Sequence, residues 1–272
     1  MIPAEFKYLF PSTVDEAVRM LAEEGEDAKI IAGGQSLVPV LRMRLAAPTA
    51  LIDIGGLTEL TGVRDDGDSL LIGAMTTHYE VQRDHLIQDH ALLLRLVTDT
   101  VADPQVRHRG TFGGSLCHAD PAGDLLAPAL ALDAVMIIAG PSGRREVPAS
   151  DFFVDYFETA LAPDEILIDV RVPKYNGWGA HYEKLNRVAQ AWSIVAVAAA
   201  VQVRDGSIAA ARVGLTNVGS GPVRATEVES ALVGQPVSAI SEAALLASSG
   251  DSYKDNLARV LTDRALTAAV AG

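Results

Sequence analysis

Cysteine is all but absent from these 272 residues, with Cys117 the single one. That excludes an intrachain disulfide and any Cys-based zinc or iron–sulfur centre, so a cluster of that kind would have to come from a partner chain. A lone thiol reads first as a small packing residue. Basic runs are missing too. The formal net charge is −13 and no block of Lys or Arg exceeds the pair Arg144-Arg145, so the chain would repel a nucleic-acid backbone. The longest low-charge apolar run, "AWSIVAVAAAVQV" from Ala191, falls short of the roughly 20 residues a membrane span requires. "MIPAEFKYLF" lacks a basic start followed by an apolar core, so no signal peptide is expected and the location expected is cytoplasmic. There is no G-x-x-x-x-G-K-[ST], which excludes a P-loop. No G-x-G-x-x-G opens a helix after the first strand, which argues against a Rossmann nicotinamide site.

What is present suffices for a well-covered core: 49% hydrophobic residues and a mean hydropathy of +0.21, on a length that allows one large or two to three small domains. "PSTVDEAVRMLAEEGEDAKI" carries a helix pattern, with Val14, Ala17, Val18 and Leu21 on one face, Thr13 and Glu16 spaced as a capping box and Gly25 at the C′ position. "AKIIAGG" reads as a short buried strand. "SLVPVLRMRL" reads as a short helix with Pro39 in its first turn. Strands are expected at "ALIDIGG", "SLLIGAM", "VMIIAG", "RREVPA" and "EILIDVRVP". Helices are expected at "TTHYEVQRDHLI", "HALLLRLVTDTVADPQVRHRG" with a break at Asp103-Pro104, and "DLLAPALALDA". "PKYNGWG" has linker composition. A hairpin around Asp205-Gly206 and helices at "ATEVESALVG", "ISEAALLASS" and "SYKDNLARVLTDRALTAAVA" follow.

Two Gly-Gly turns stand out, in "KIIAGGQSLVPVLRMRLAAP" and "RGTFGGSLCHADPAGDLLAPAL", about eighty residues apart. Glycine reaches positive φ freely and lets a ligand approach, and successive N–H groups in such a turn make an anion-binding concavity. Two such turns brought together could hold two phosphates from opposite sides, with Gln35, Ser36, Thr111 and Ser115 as additional donors. Either turn could equally be an ordinary loop. His118 and Asp120, and the scattered His78, His85, His90, His108 and His181, show no metal-ligand spacing.

Read together, "AGGQSLVPVLRMRLAAP" and "TFGGSLCHADPAGDLLAPALALDA" resemble the FAD-binding medium subunit of molybdenum hydroxylases, the family of carbon monoxide dehydrogenase and of xanthine dehydrogenase-like enzymes. The likeness extends through "FKYLFPSTVDEAVRMLAE", "ADPQVRHRGTFGGS", "GPVRATEVESALVG" and "YKDNLARVLTDRAL". It departs where many relatives have "AGGHS" and "GGN" in place of Gln35 and Ser115.

The resemblance implies an α+β chain with a two-subdomain FAD-binding fold of the vanillyl-alcohol oxidase (PCMH) type, residues 1–56 and 57–176, then a smaller α+β domain, 177–272. It implies that Ile31, Ala32, Gly33, Gly34, Gln35, Ser36 and Leu37 wrap the FAD pyrophosphate, with Thr111, Gly113, Gly114 and Ser115 approaching from the second turn. Val101 and Leu167 join the site. Asp124 would bind the sugar part of FAD; an N-cap role for it also stands. Lys184 would lie near the flavin edge, or be an ordinary surface lysine. Trp192 would lie near the isoalloxazine ring, or in the core. The implied function is electron transfer: a large subunit with a molybdenum cofactor oxidises substrate, and a small subunit with two [2Fe-2S] clusters passes the electrons to this chain's FAD. From there they reach a quinone, oxygen or NAD, in a dimer of heterotrimers. The alternatives are a self-sufficient flavin-dependent oxidoreductase and a non-catalytic nucleotide-binding protein.

Overall fold

The computed structural model describes residues 2–272. Three main sheets succeed one another along the chain, with a fourth, two-stranded one inside the second unit. The first unit holds β1 (Lys7–Leu9), α1 (Val14–Glu24), β2 (Ala28–Ile31), α2 (Leu37–Met43) and β3 (Ala50–Asp53). Its sheet is parallel with order β1-β3-β2, Ala50 lying opposite both Lys7 and Ala28. The expected stripe of α1 is buried. Thr13 caps α1 through its side chain, and Gly25 ends it at φ 78. The capping box itself is incomplete, because Glu16 reaches back to the N–H and hydroxyl of Ser12, not to Thr13.

The second unit begins with β4 (Val63–Asp66) and β5 (Ser69–Gly73). Its helices are α3 (His78–Arg83), α4 (His85–His90), α5 (Leu92–Asp99), α6 (Pro104–Arg107), α7 (Phe112–His118) and α8 (Leu126–Ala131). It continues with β6 (Val135–Gly140), β7 (Gly143–Pro148), α9 (Ala149–Phe152), β8 (Phe153–Asp155), β9 (Glu158–Thr159) and β10 (Ile166–Pro173). The main sheet is antiparallel with order β4-β5-β10-β6-β7. The long helix expected at "TTHYEVQRDHLI" breaks in two at Asp84, whose carboxylate caps α4. A complete capping box sits at Thr77 and Glu80, where it had not been expected.

The second Gly-Gly is not a loose turn. Thr111 is the N-cap of α7, so Gly113 and Gly114 lie inside that helix's first turn. The second unit is no separate body either. Ile52, Ile54 and Leu57, with the buried face of α1, pack with Ala139, Ile166 and Ile168 of the five-stranded sheet in one core cluster.

The third unit contains β11 (Gly179–Leu185), β12 (Val195–Arg204), β13 (Ser207–Thr216), β14 (Val223–Arg224), α10 (Thr226–Leu232), α11 (Ile240–Ala244) and α12 (Ser252–Ala271). Its sheet is antiparallel in chain order. The hairpin turn falls at Asp205-Gly206, both at positive φ as a tight primed turn requires. The unbroken apolar run of β12 is explained by burial on both faces. Ala196, Ala198 and Ala200 face the second unit's core, while Val195, Val197, Ala199 and Val201 face the third unit's own helices.

Candidate functional site

A cleft of about 550 Å³ opens where the three units meet. One wall is the turn from β2 to α2, the opposite wall is α7, and the ends are closed by the start of β10 and by residues 190–192. Ala32, Gly33, Gly34, Gln35, Ser36, Leu37, Val101, Thr111, Gly113, Gly114, Ser115, Asp124, Leu167 and Trp192 all line it. Ile31 does not, and its side chain sits behind the turn near Gly34. Lys184 is not a wall residue either.

Three of the four turn glycines are required by the protein itself. A Cβ on Gly33 would overlap the carbonyl oxygen of Arg109, and one on Gly113 would strike Ala74. One on Gly114 would come 2.5 Å from the Thr111 hydroxyl that caps α7. Gly34 stands at φ +73, where only glycine is unstrained. Gly33 therefore lets the first turn close on the Arg109-Gly110 backbone that leads into α7, while Gly113 lets α7 pack against Ala74.

The two turns differ in what they offer a ligand. At the start of α7 every N–H is engaged: Phe112 donates to the Thr76 carbonyl at 2.8 Å, Gly113 to that of Ala74 at 2.9 Å and Ser115 to that of Thr111 at 3.0 Å. Gly114 donates to the Thr111 hydroxyl at 3.1 Å. At the first turn, the N–H groups of Gly33, Gly34, Gln35, Ser36 and Leu37 have no acceptor among the described residues. Five consecutive free donors at the mouth of α2 form an anion cradle. The two turns thus line the cleft differently: the first presents free backbone donors, and the second forms wall with its own N–H groups engaged inside the chain.

Asp124 is not an N-cap, for α8 has no side-chain cap. Its carboxylate, buried at the cleft wall, accepts from the Tyr182 hydroxyl at 2.7 Å and from Lys184 Nζ at 2.8 Å. Burial lifts the Asp124 pKa above the usual carboxylate value, against the opposing pull of Lys184 and Tyr182. Burial and the adjacent carboxylate hold the Tyr182 hydroxyl well above its usual value. Lys184, with its side chain 7% exposed, is neither a surface lysine nor part of the wall. It stands behind Asp124 and also donates to the Thr100 carbonyl at 3.3 Å. Trp192 is 68% exposed at the cleft rim, so a core role is excluded.

Other wall residues were not anticipated as such. His78 is buried with Nδ1 unpartnered, and burial followed by the charge of Arg107 pushes its pKa down to about 4. Cys117 is held un-ionised, burial raising its pKa to about 12. Tyr182 was legible in principle, since Tyr182 and Lys184 are two apart on β11 and so share a face. Nothing in the sequence marks His78. No group of three or more potential metal ligands is brought together among the described residues, and no helix among them is long and apolar enough to cross a membrane.

Comparison with known proteins agrees with this geometry. Residues 4–175 match the family model described as the FAD binding domain in molybdopterin dehydrogenase, and residues 180–269 match the CO dehydrogenase flavoprotein C-terminal domain. The carbon monoxide dehydrogenase medium chain of Hydrogenophaga pseudoflava is 38% identical, over 99% of this chain and 98% of that one. The 6-hydroxypseudooxynicotine dehydrogenase complex subunit alpha of Paenarthrobacter nicotinovorans is 34% identical, over 99% and 96%. A solved structure of the Hydrogenophaga pseudoflava carbon monoxide dehydrogenase superposes with a TM-score of 0.96 at 39% identity, covering 100% of this chain and 99% of that one. The chain therefore belongs to the FAD-binding medium subunits of the carbon monoxide dehydrogenase and xanthine dehydrogenase-like molybdenum hydroxylases, an oxidoreductase family.

Proposed function

We propose that the cleft holds FAD, with its pyrophosphate on the N–H groups of Gly33 to Leu37, and that the chain passes electrons from a partner's iron–sulfur clusters to an external acceptor. The observation that carries this reading is the run of five consecutive N–H groups without an internal acceptor. N–H groups at a helix start that no acceptor of the chain engages are left for solvent or a ligand, and negatively charged phosphate oxygens satisfy them best. The remaining walls fit the same ligand. Asp124 offers an acceptor to a sugar hydroxyl, and Trp192 offers an aromatic face at the rim. Bound FAD would supply the redox chemistry. The protein's own residues bind and orient it, and the neutral His78 and un-ionised Cys117 add no net charge beside it.

The substrate would be oxidised on a large molybdenum-cofactor subunit, and a small subunit with two [2Fe-2S] clusters would connect the two centres, in a cytoplasmic dimer of heterotrimers. The acceptor would be a quinone, oxygen or NAD. Co-expression with the partner subunits, an absorption spectrum and chromatography of the released cofactor test the proposal. Flavin and iron–sulfur bands with two co-purifying subunits are expected, and a preparation without FAD would refute it.

A further inference from the structure

The segment Thr100–Asp103 forms part of the cleft in a way that the glycine turns do not explain. Val101 and Ala102 both line the cleft, and Ala102 stands at φ 40, in the left-handed region that disfavours a side chain. Its neighbours hold it there. Arg107 Nη1 donates to the Val101 carbonyl at 2.8 Å and to the Ala102 carbonyl at 3.1 Å. Lys184 donates to the carbonyl of Thr100. All three carbonyls are thereby tied to cations of the protein.

The local sequence builds this clamp. Asp103 precedes a proline and is extended, and its carboxylate caps α6 through the Val106 N–H at 2.9 Å. Arg107 is the last residue of that single-turn helix, which returns its guanidinium over residues 101 and 102. The Thr100 and Val101 N–H groups are used locally, by the carbonyls of Val97 and Thr98. The Ala102 N–H has no acceptor among the described residues. Strained backbone persists where surrounding contacts over-determine it, often at ligand clamps.

We infer that Arg107 is a positioning residue: by fixing the carbonyls of Val101 and Ala102 it presents the Ala102 N–H to an acceptor atom of the bound cofactor, as a second backbone donor site apart from Gly33–Leu37. The inference rests on the reading of the cleft as an FAD site. Arg107 does not line the cleft, so it acts through the backbone it holds.

Titration of FAD into the full chain freed of flavin tests it, using wild type, Arg107→Met, Arg107→Lys, Ala102→Gly and the double variant Arg107→Met/Ala102→Gly. Arg107→Met weakens FAD binding about tenfold, the value of one well-placed hydrogen bond. Both bonds leave from one nitrogen, so Arg107→Lys retains binding within about threefold. Glycine reaches the left-handed region unaided, so in the Ala102→Gly background the Arg107→Met loss shrinks below about threefold. In the wild type, FAD slows hydrogen exchange of the Ala102 amide, and this result stands even where Arg107→Met fails to fold. Undiminished binding by Arg107→Met, a loss of equal size in the glycine background, or unchanged Ala102 exchange would each overturn the inference. A wild-type chain that takes up no FAD would instead refute the reading of the cleft.

Discussion

Two residues of the cleft give it distinct sensitivities, one to pH and one to bulk. His78 is buried and neutral, with its pKa pushed from 6.5 to about 4. Between those values the unfolded chain binds a proton that the folded chain refuses. Stability is therefore full above pH 6.5 and is lost as pH falls toward 4, by about 3 kcal/mol in total. Denaturant titrations at pH 7 and pH 4.5 should show His78→Gln losing about 2–3 kcal/mol less than wild type over that interval. An equal loss would mean that other groups dominate the acid response. Gly33 is sensitive to a single methyl. Gly33→Ala forces the first turn away from the Arg109 backbone, at a cost of about 1–3 kcal/mol, read as a lowered Tm together with loss of FAD. Little of this was legible beforehand. Gly33 stood out, but its physical reason is the neighbouring chain segment, and a contact with Arg109, far along the chain, leaves no local pattern. The Asp124–Tyr182–Lys184 cluster was half visible, because burial of a lysine depends on how β11 lies against α5, which spacing alone does not state.

Among the elements, those with a clear local signal were legible: α1 from its periodicity and caps, the hairpin of β12 and β13 from its Asp205-Gly206 turn, and α12 from its long uninterrupted run. Of the short ones, β2, β3 and α2 were legible and others were not. The strands β1, β4, β8, β9 and β14 have two to four residues each, too few for a repeat to show. The second Gly-Gly was misread as a turn because glycine is a poor helix former. Here tertiary contact overrides propensity, since Gly113 must pass close to Ala74 and Thr111 supplies the cap. The two Gly-Gly segments should consequently respond differently to mutation. Thr111→Val removes the acceptor of the Gly114 N–H and should lower stability by about 1 kcal/mol. It leaves the free donors of the first turn in place, so FAD affinity should fall no more than about threefold. Thermal melts and a flavin titration on the same preparation check both parts. A larger loss of affinity without a loss of stability would assign phosphate binding to α7.

At the scale of the whole molecule, the cleft exists because three sheets of modest size share their cores. The first unit closes against Ala139, Ile166 and Ile168, and the third contributes Tyr182 and one face of β12 to the second unit's core. A ligand in that junction touches all three units, so its binding should stabilise the entire chain. The resemblance made this architecture legible from motifs spread over nearly the full length, whereas composition and periodicity alone stopped at a mixed α and β protein. The central claim is that the backbone of Gly33–Leu37 holds the pyrophosphate, and its most direct test is FAD affinity of the full chain with and without Gly34→Val. Valine is strained at φ +73, and its Cβ would crowd the Val38 side chain at 3.1 Å, so the cradle must distort. The account predicts tight binding of one FAD per wild-type chain and a loss of at least about tenfold in Gly34→Val. Undiminished affinity in a folded Gly34→Val chain would contradict it.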